Sequence, residues 1–422
     1  MSIDREPLRH FGTWKLTAVA LMVLGVSQTV VRTAVAVEPV DFQVKLDVVK
    51  QELNPGFCWF HPRVAAVPGL GKDGNPLVVL TLQKHLVADD YYSGLYFMKS
   101  ADLGKTWTDP VLPKELDWRK DGEATVSVAD VTPNWHPQTK RVLAIGIKVR
   151  YTPKGVQLND KTRSYDVSYA AYDPATDAWT AWREIDMPLG DDKRFSQLAP
   201  GCVQWLIQPD GTILLPIYYQ GTDPNSPYSV TVLKCGFDGK TLTYQKHGDE
   251  LHLNVVRGLC EPSLTQFQGK YYLTIRNDLK GYVAVSEDGL KYGPMKEWTF
   301  DDGTDLGSYN TQQHWVTHQD GLFLAYTRRG ANNDHIARNR APLFMAQVDP
   351  GKLVVIRKTE KSLMPERGVM LGNFGATTVT EGESWVTDSE FMTGGKAHEK
   401  GANGSTFAAR ILWSRPNKVK SN

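Results

Sequence analysis

The feature that most limits the fold of this chain is a turn that comes back. The stretch "SADLGKTW", residues 100–107, sits between two β-rich runs. Asp102 is placed to accept backbone N–H bonds inside the turn, and Gly104 supplies the positive φ it needs. Ser100 and Thr106 add hydroxyl bonds, and Trp107 offers a ring that fastens the turn to a sheet. The stretch "SEDGLKY" (286–292) keeps Ser286, Asp288 and Gly289, with Tyr292 as the aromatic. "FDGKTL" (237–242) keeps Asp, Gly and Thr, while "YDPATDAWTAW" (172–182) and "VDPGKL" (348–353) are eroded copies. The leading aspartates fall at 102, 173, 238, 288 and 349, about sixty residues apart.

Between these turns lie short runs such as "NPLVVLTL", "RVLAIGIKV", "TILLPIYY" and "KYYLTIR". They alternate or are fully apolar, and Gly, Asp, Asn and Pro punctuate them, which is the pattern of strands. No long amphipathic helix is legible. A period of this size in an all-β chain predicts propeller blades, each a sheet that buries its faces only against its neighbours. The expected fold class is all-β, a six-bladed β-propeller of four-stranded antiparallel blades. The strand near "VDFQVKLDVV" is expected to close the ring against the last blade.

Composition removes several function classes. With 422 residues, a formal net charge of +1 and 41% hydrophobic residues, the chain is ordinary globular material and lacks the basic excess of a nucleic-acid binder. At the start, Arg5, Arg9 and Lys15 lead into "LTAVALMVLGV" (16–26), and "AVA" stands at 34–36. A charged segment, a short apolar run and a small-residue end predict a secretory signal peptide over 1–36. The mature chain, 37–422, is then expected to be exported as a single domain, periplasmic or extracellular. The apolar run is too short to span a bilayer, so no membrane insertion of the mature chain is expected. Cys58, Cys202, Cys235 and Cys260 allow three pairings in an oxidising compartment, and the sequence does not choose among them. "HWVTH" (314–318) places His314 and His318 on one strand face, in a structural role. No metal and no cofactor is expected.

The Ser-x-Asp-x-Gly-x-Thr-Trp turn resembles the Asp box of sialidases, and the chain resembles that superfamily over nearly its whole mature length. "FHPRVAAVPG" (60–69) is similar to the family's Arg-Ile-Pro segment, with Arg63 at the arginine position and no proline following Val64. The run from "LTLQKHLVADDYY" to the first turn resembles the family's path to its catalytic aspartate. That resemblance points to Asp90, with Asp89 as the second candidate. "CEPSLTQFQGKYYLTIRNDLKGYVAVSEDG" (260–289) matches the family's Glu-Pro, arginine-ending strand and next Asp box, placing Glu261 and Arg276. "RAPLFMAQVD" (340–349) resembles the segment with the third arginine, which implies Arg340 ahead of Arg338 and Arg328.

Three guanidiniums meeting at the mouth of the ring can hold a carboxylate through bidentate, charge-assisted bonds. An Asp over the glycosidic oxygen can act as general acid, and a Glu can support the attacking group. At one point the resemblance breaks. The family's nucleophilic Tyr-Ser pair falls on Phe374-Gly375, and a phenyl ring has no oxygen to attack with. Tyr309, His314 and His335 are the substitutes the sequence offers, and Glu261 acting directly on water is another. Among the aromatics, Trp59, Trp135, Trp205 and Trp315 sit near the expected active face, with core packing as their main role. The resemblance implies an exported, exo-acting glycoside hydrolase of sialidase type for an acidic, carboxylate-bearing glycan. The alternatives are a hydrolase or lyase for uronic-acid polysaccharides, or a propeller that binds acidic glycans without cleaving them.

Overall fold

The computed structural model describes residues 38–86 and 90–419. The expected signal peptide and Asp89 lie outside the described residues. Strands dominate, and the helical content is four three-residue 3-10 turns. Antiparallel strands form six sheets that follow one another along the chain. Sheet I holds Phe57–Val67, Leu77–Leu86 and Tyr96–Ser100. Sheet II is built on Ala124–His136, Arg141–Tyr151 and Asp166–Asp173, sheet III on Ile213–Gln220, Ser229–Phe237 and Leu242–His247. Sheet IV contains Cys260–Phe267, Lys270–Arg276 and Gly281–Ser286, and sheet V contains His314–His318, Gly321–Tyr326 and Leu343–Asp349. Sheet VI joins Gly375–Thr380, Glu383–Ser389 and Ser405–Trp413 to the first strand, Phe42–Gln51.

Each sheet packs on the next. The inner strand of sheet VI, Gly375–Thr380, meets that of sheet I, Phe57–Val67, which closes the ring. This is an all-β propeller arrangement. The expected closing strand is present: Phe42–Gln51 pairs with Ser405–Trp413, with Phe42 opposite Trp413 and Gln51 opposite Ser405. Joining the two chain ends in one sheet fastens the ring by a ladder of backbone bonds.

The expectation of six four-stranded blades needs correction. Five sheets have four strands or more, up to seven in sheet II, and sheet I has three. Beyond Tyr96–Ser100 its outer edge is reduced to a single bridge between Phe97 and Val111. Pro110 and Pro113 flank that bridge, and proline cannot donate to a ladder.

The core lies between neighbouring sheets, as blade-on-blade packing demands. Leu143, Ile145 and Val167 of sheet II meet Ile213 and Leu215 of sheet III, together with Trp205. Tyr272 and Val283 of sheet IV meet Leu322 and Leu324 of sheet V. Strands buried on both faces carry continuous apolar runs, and "ILLPIYYQ" (213–220) is buried at every residue. Cys58, Cys202, Cys235 and Cys260 are buried and unpaired. His314 and His318 are both buried; His314 Nδ1 bonds Ser263 Oγ at 2.8 Å and His318 Nε2 bonds the Arg415 carbonyl at 3.2 Å.

The recurring turn has the chemistry read from the sequence. Asp102 Oδ1 accepts the Thr106 N–H at 2.9 Å, Asp102 Oδ2 accepts the Thr106 hydroxyl at 2.7 Å, and Gly104 N–H donates to Ser100 Oγ at 2.8 Å. The leading aspartates of the other four turns likewise accept a backbone N–H two residues on. Trp107 contacts Trp385 of sheet VI at 6.2 Å between centroids, so the first turn fastens two sheets together. Gly104 has φ +77°, and a Cβ there would stand 2.9 Å from the buried Trp385 ring. Gly104→Ala is therefore expected to destabilise the fold by about 1 to 3 kcal/mol. Urea unfolding measures this, and an unchanged midpoint would rule out the fastening role.

Candidate functional site

The site begins with five non-glycine residues whose backbone is left-handed. His61, Asp130, Cys202, Glu261 and Asn310 have φ of 52°, 54°, 55°, 44° and 51°. His61, Asp130 and Glu261 lie on the inner strands of sheets I, II and IV, and Asn310 lies just before that of sheet V. Cys202 lies between Gln197–Ala199 and Leu206–Ile207, two short strands that pair with Ile213–Gln220 of sheet III. In three cases the strand register shifts at that point, between Phe60 and Arg63, Ala129 and Thr132, and Cys260 and Ser263. A bulge adds one residue and re-aims a side chain. Non-glycine residues in this region cost of order 1 kcal/mol each and gather at functional sites.

These bulges place their side chains in one polar ring. Cys202 Sγ donates to Asp130 Oδ1 at 3.0 Å, and His61 Nε2 lies 2.7 Å from the same oxygen. Asn373 Nδ2 reaches His61 Nε2 at 3.1 Å, and Arg340 donates to Asn373 Oδ1 at 3.0 Å and to the Asn310 carbonyl at 2.8 Å. Asn310 Oδ1 accepts from Arg276 at 2.6 Å, and Arg276 pairs with Glu261 and, at 3.2 Å, with Asp278. The chain of contacts passes through all six sheets.

Above the ring opens a cleft of ≈ 330 Å³ lined by Asp90, Asp130, Glu261, Arg276 and Arg340, among others. Arg257 and Arg338 stand on its wall, as do the rings of Phe60, Tyr92, Tyr165, Tyr218, Tyr228 and Phe391. Charged groups under aromatic walls suit a ligand with one anionic group and apolar faces.

The ring's electrostatics are uneven. Burial works against the Arg276 charge, but Glu261, Cys260 and Asp278 outweigh it and raise its pKa. Burial also works to raise the Asp130 carboxyl, yet His61, Arg63 and the Cys202 thiol hold it well below its ordinary value. Burial, with Asp130 beside it, pushes the Cys202 thiol up. The Tyr218 phenol is raised by burial and by Glu261 and Asp130. Arg340 stands apart. It is 4% exposed, forms no ion pair with a described carboxylate, and its Nε has no partner among the described residues. Burial, then the nearby Arg276 charge, lowers its pKa to about 10. A buried guanidinium without a direct ion pair is costly until an anion joins it.

The structure gathers part of the sequence-predicted set. Asp90, Glu261, Arg276 and Arg340 line the cleft. Asp90 is left-handed at φ 47°, and its Oδ1 accepts the Tyr92 hydroxyl at 3.0 Å. Arg63 does not reach the cleft. The bulge at His61 and Pro62 turns it away, and its guanidinium donates to the carbonyls of Val131 at 3.2 Å and of Phe374 and Asn373 at 3.4 Å. Its stem lies where a Cβ on Gly375 would come within 2.5 Å, so glycine is needed there. His61, two residues earlier, takes the inward position. Tyr309 lies off the cleft, with its hydroxyl on Asn339 Oδ1 at 2.7 Å and its ring under Arg329. His335 sits on the surface between Lys400, at 2.8 Å, and Glu366, at 3.2 Å. His314 is buried against Phe374, 5.1 Å between ring centroids, and burial, with Arg63 nearby, lowers its pKa to about 3. Phe374 is core and does not face the cleft.

The sequence reading missed His61, Asp130, Cys202, Asn310 and Asn373. A signal existed: one polar or thiol residue stands on or shortly before the inner part of every sheet, twice before a proline, in "HP" and "EP". Trp205 and Trp315 line a separate cavity of ≈ 100 Å³ further along the inner strands.

No protein-family model matches the chain, and no curated protein matches it. Solved structures do. A protein of unknown function from Dyadobacter fermentans aligns with a TM-score of 0.58 at 16% identity, over 88% of this chain and 99% of that one. A mutant of the NanB sialidase from Streptococcus pneumoniae gives 0.57 at 11% identity, over 87% and 70%. Trypanosoma rangeli sialidase in complex with sialic acid gives 0.53 at 12% identity, over 86% of this chain and 55% of that one. This chain thus spans little more than half of the trypanosomal enzyme. The likeness shows the fold.

Proposed function

We propose that this chain is an exported carbohydrate-active enzyme that binds a carboxylate-bearing sugar in the cleft and hydrolyses its glycosidic bond, acting from a chain end. The observation that carries this reading is Arg340: a buried guanidinium with no ion pair to a described carboxylate, opening with Arg276 onto a cleft walled by aromatic rings. Two guanidiniums from adjacent sheets form a fork for one carboxylate. We read the ring as six-bladed, with sheet I a blade whose outer strand has shrunk to the Phe97–Val111 bridge. The likeness to sialidase structures, one holding sialic acid, supports the substrate class.

Asp90 is the proton donor to the leaving group. Tyr92 orients its carboxyl from one oxygen, and the other makes no bond to a described residue. Glu261 holds Arg276 with Oε1, while its buried Oε2 has no described partner and is available to an attacking water. Phe374 leaves no tyrosine nucleophile at the family's position, so direct attack by water is the route this site favours. A second reading, β-elimination from a uronate, draws on the His61–Asp130 pair and the four tyrosines along the cleft.

Incubation with sialosides and uronate oligosaccharides, followed by product mass, tests both. Hydrolysis adds one water to the products, whereas elimination leaves a conjugated product that absorbs in the ultraviolet. Arg340→Met is expected to raise KM for the cleaved substrate about 30- to 100-fold, the loss of one charge-assisted fork of about 2 to 3 kcal/mol. An Arg340→Met enzyme with unchanged KM, or no turnover by the native chain on any acidic glycan, refutes the reading.

A further inference from the structure

His61, Asp130 and Cys202 come from three sheets and have no part in the hydrolysis proposed above. Their contacts contain a conflict. Arg340 donates to Asn373 Oδ1 at 3.0 Å, which fixes the amide so that its NH₂ faces His61. Asn373 Nδ2 lies 3.1 Å from His61 Nε2, a contact in which that nitrogen would have to accept. The same Nε2 stands 2.7 Å from Asp130 Oδ1, an oxygen that also meets Cys202 Sγ at 3.0 Å. One ring nitrogen cannot accept from Asn373 and donate to Asp130 at once. Nε2–H donating to Asp130 satisfies the shorter contact in the metal-free chain, and a metal ion on Nε2 would replace that proton. His61 and Cys202 are each 1% exposed, so bulk water does not compete for these donor atoms.

We propose that His61, Asp130 and Cys202 form a binding site for a divalent transition-metal ion of the zinc type. The donor set decides the class. Imidazole, thiolate and carboxylate together suit zinc and its neighbours, whereas magnesium and calcium call for oxygen alone. The three donor atoms lie within 4.8 Å of one another. Metal–ligand bonds of about 2.0 to 2.3 Å place tetrahedral ligands about 3.5 Å apart. The widest pair must then close by roughly one ångström, and the 2.7 and 3.0 Å contacts to Asp130 must open by about 0.5 to 0.8 Å. On binding, the His61 proton moves from Nε2 to Nδ1, which has no described partner. The Cys202 S–H bond breaks with its proton leaving to solvent, so thiolate and carboxylate balance the dication. Three protein ligands leave a further position for water or a substrate oxygen, and Asp130 borders the cleft. The site is distinct from the Arg276 and Arg340 fork, so either can fail without the other.

The test uses the full chain, stripped with a chelator and titrated with cobalt(II) and then zinc(II). Expected are one equivalent of cobalt with an intense near-ultraviolet thiolate-to-cobalt band, bleached by zinc. Zinc is also expected to raise the unfolding temperature of the native chain and to shield Cys202 from alkylation under mild denaturant, read by peptide mass. Cys202→Ser should lose the band, and Asp130→Asn should weaken cobalt binding at least about tenfold. Because either variant can fail to fold, the shielding of the native thiol stands as an independent readout. No cobalt band, a band that survives Cys202→Ser, or alkylation of Cys202 unaffected by zinc overturns the proposal.

Discussion

Asp90→Asn is expected to lower kcat on an unactivated acidic glycoside by about a thousand-fold, in the range general-acid catalysis contributes. The amide keeps the size of the carboxyl and can still meet the Tyr92 hydroxyl, which now reaches Asp90 Oδ1 at 3.0 Å, but it has no acidic proton to give. Position favours the role: Asp90 is an exposed residue on the wall of the same cleft that the buried Arg276 and Arg340 line. Substrate binding should be nearly unaffected, because Asp90 is not part of the guanidinium fork. The discriminating measurement compares leaving groups. An aryl glycoside with an acidic phenol departs without protonation, so on it the variant should recover most of the native rate. Equal losses on both substrates would mean that Asp90 orients or binds and does not donate a proton.

Asp388→Asn is expected to stabilise the protein strongly above neutral pH and to leave it unchanged near pH 4. Asp388 is fully buried on the strand Glu383–Ser389, where Oδ1 accepts the Ser389 N–H at 2.8 Å and Oδ2 has no described partner. Burial pushes its carboxyl up from 3.8 to about 7, and the Ser389 N–H, Arg340 and Arg63 offset only part of that. The sign follows from linkage. A group whose pKa is raised in the folded state gives full stability below its unfolded value. That contribution declines as pH rises from about 4 to about 7 and is gone above. The difference in pKa corresponds to roughly 4 kcal/mol. Asparagine is neutral throughout, so its advantage grows across that window and levels off beyond it. Urea unfolding at about pH 4 and at about pH 8, on either side of the window, measures it. Parallel pH profiles for the two proteins would show that Asp388 is not the buried acid inferred here.

Local patterns carried the architecture. The turn at 100–107 was legible because its bonds run between residues at most four apart, as in Asp102 with Thr106. Strand runs were legible because blades bury both faces and leave continuous apolar stretches, as in Ile213–Gln220. The closing strand Phe42–Gln51 followed from the need to complete a ring. The blade edge was less legible, since the Phe97–Val111 bridge depends on how two prolines flank one residue pair.

The sequence by itself determined an all-β ring of repeated sheets, the chemistry of its turns, and four of the side chains on the cleft, Asp90, Glu261, Arg276 and Arg340. Only the tertiary structure decided that His61 and not Arg63 faces inward, and that Asp130, Cys202, Asn310 and Asn373 join it. The physical reason is the bulge. A single extra residue reverses which side of a strand a side chain takes, and nothing in the spacing of "FHPR" reveals it. Which polar atoms then meet across six sheets, separated by up to 312 positions as His61 and Asn373 are, is settled by ring closure alone.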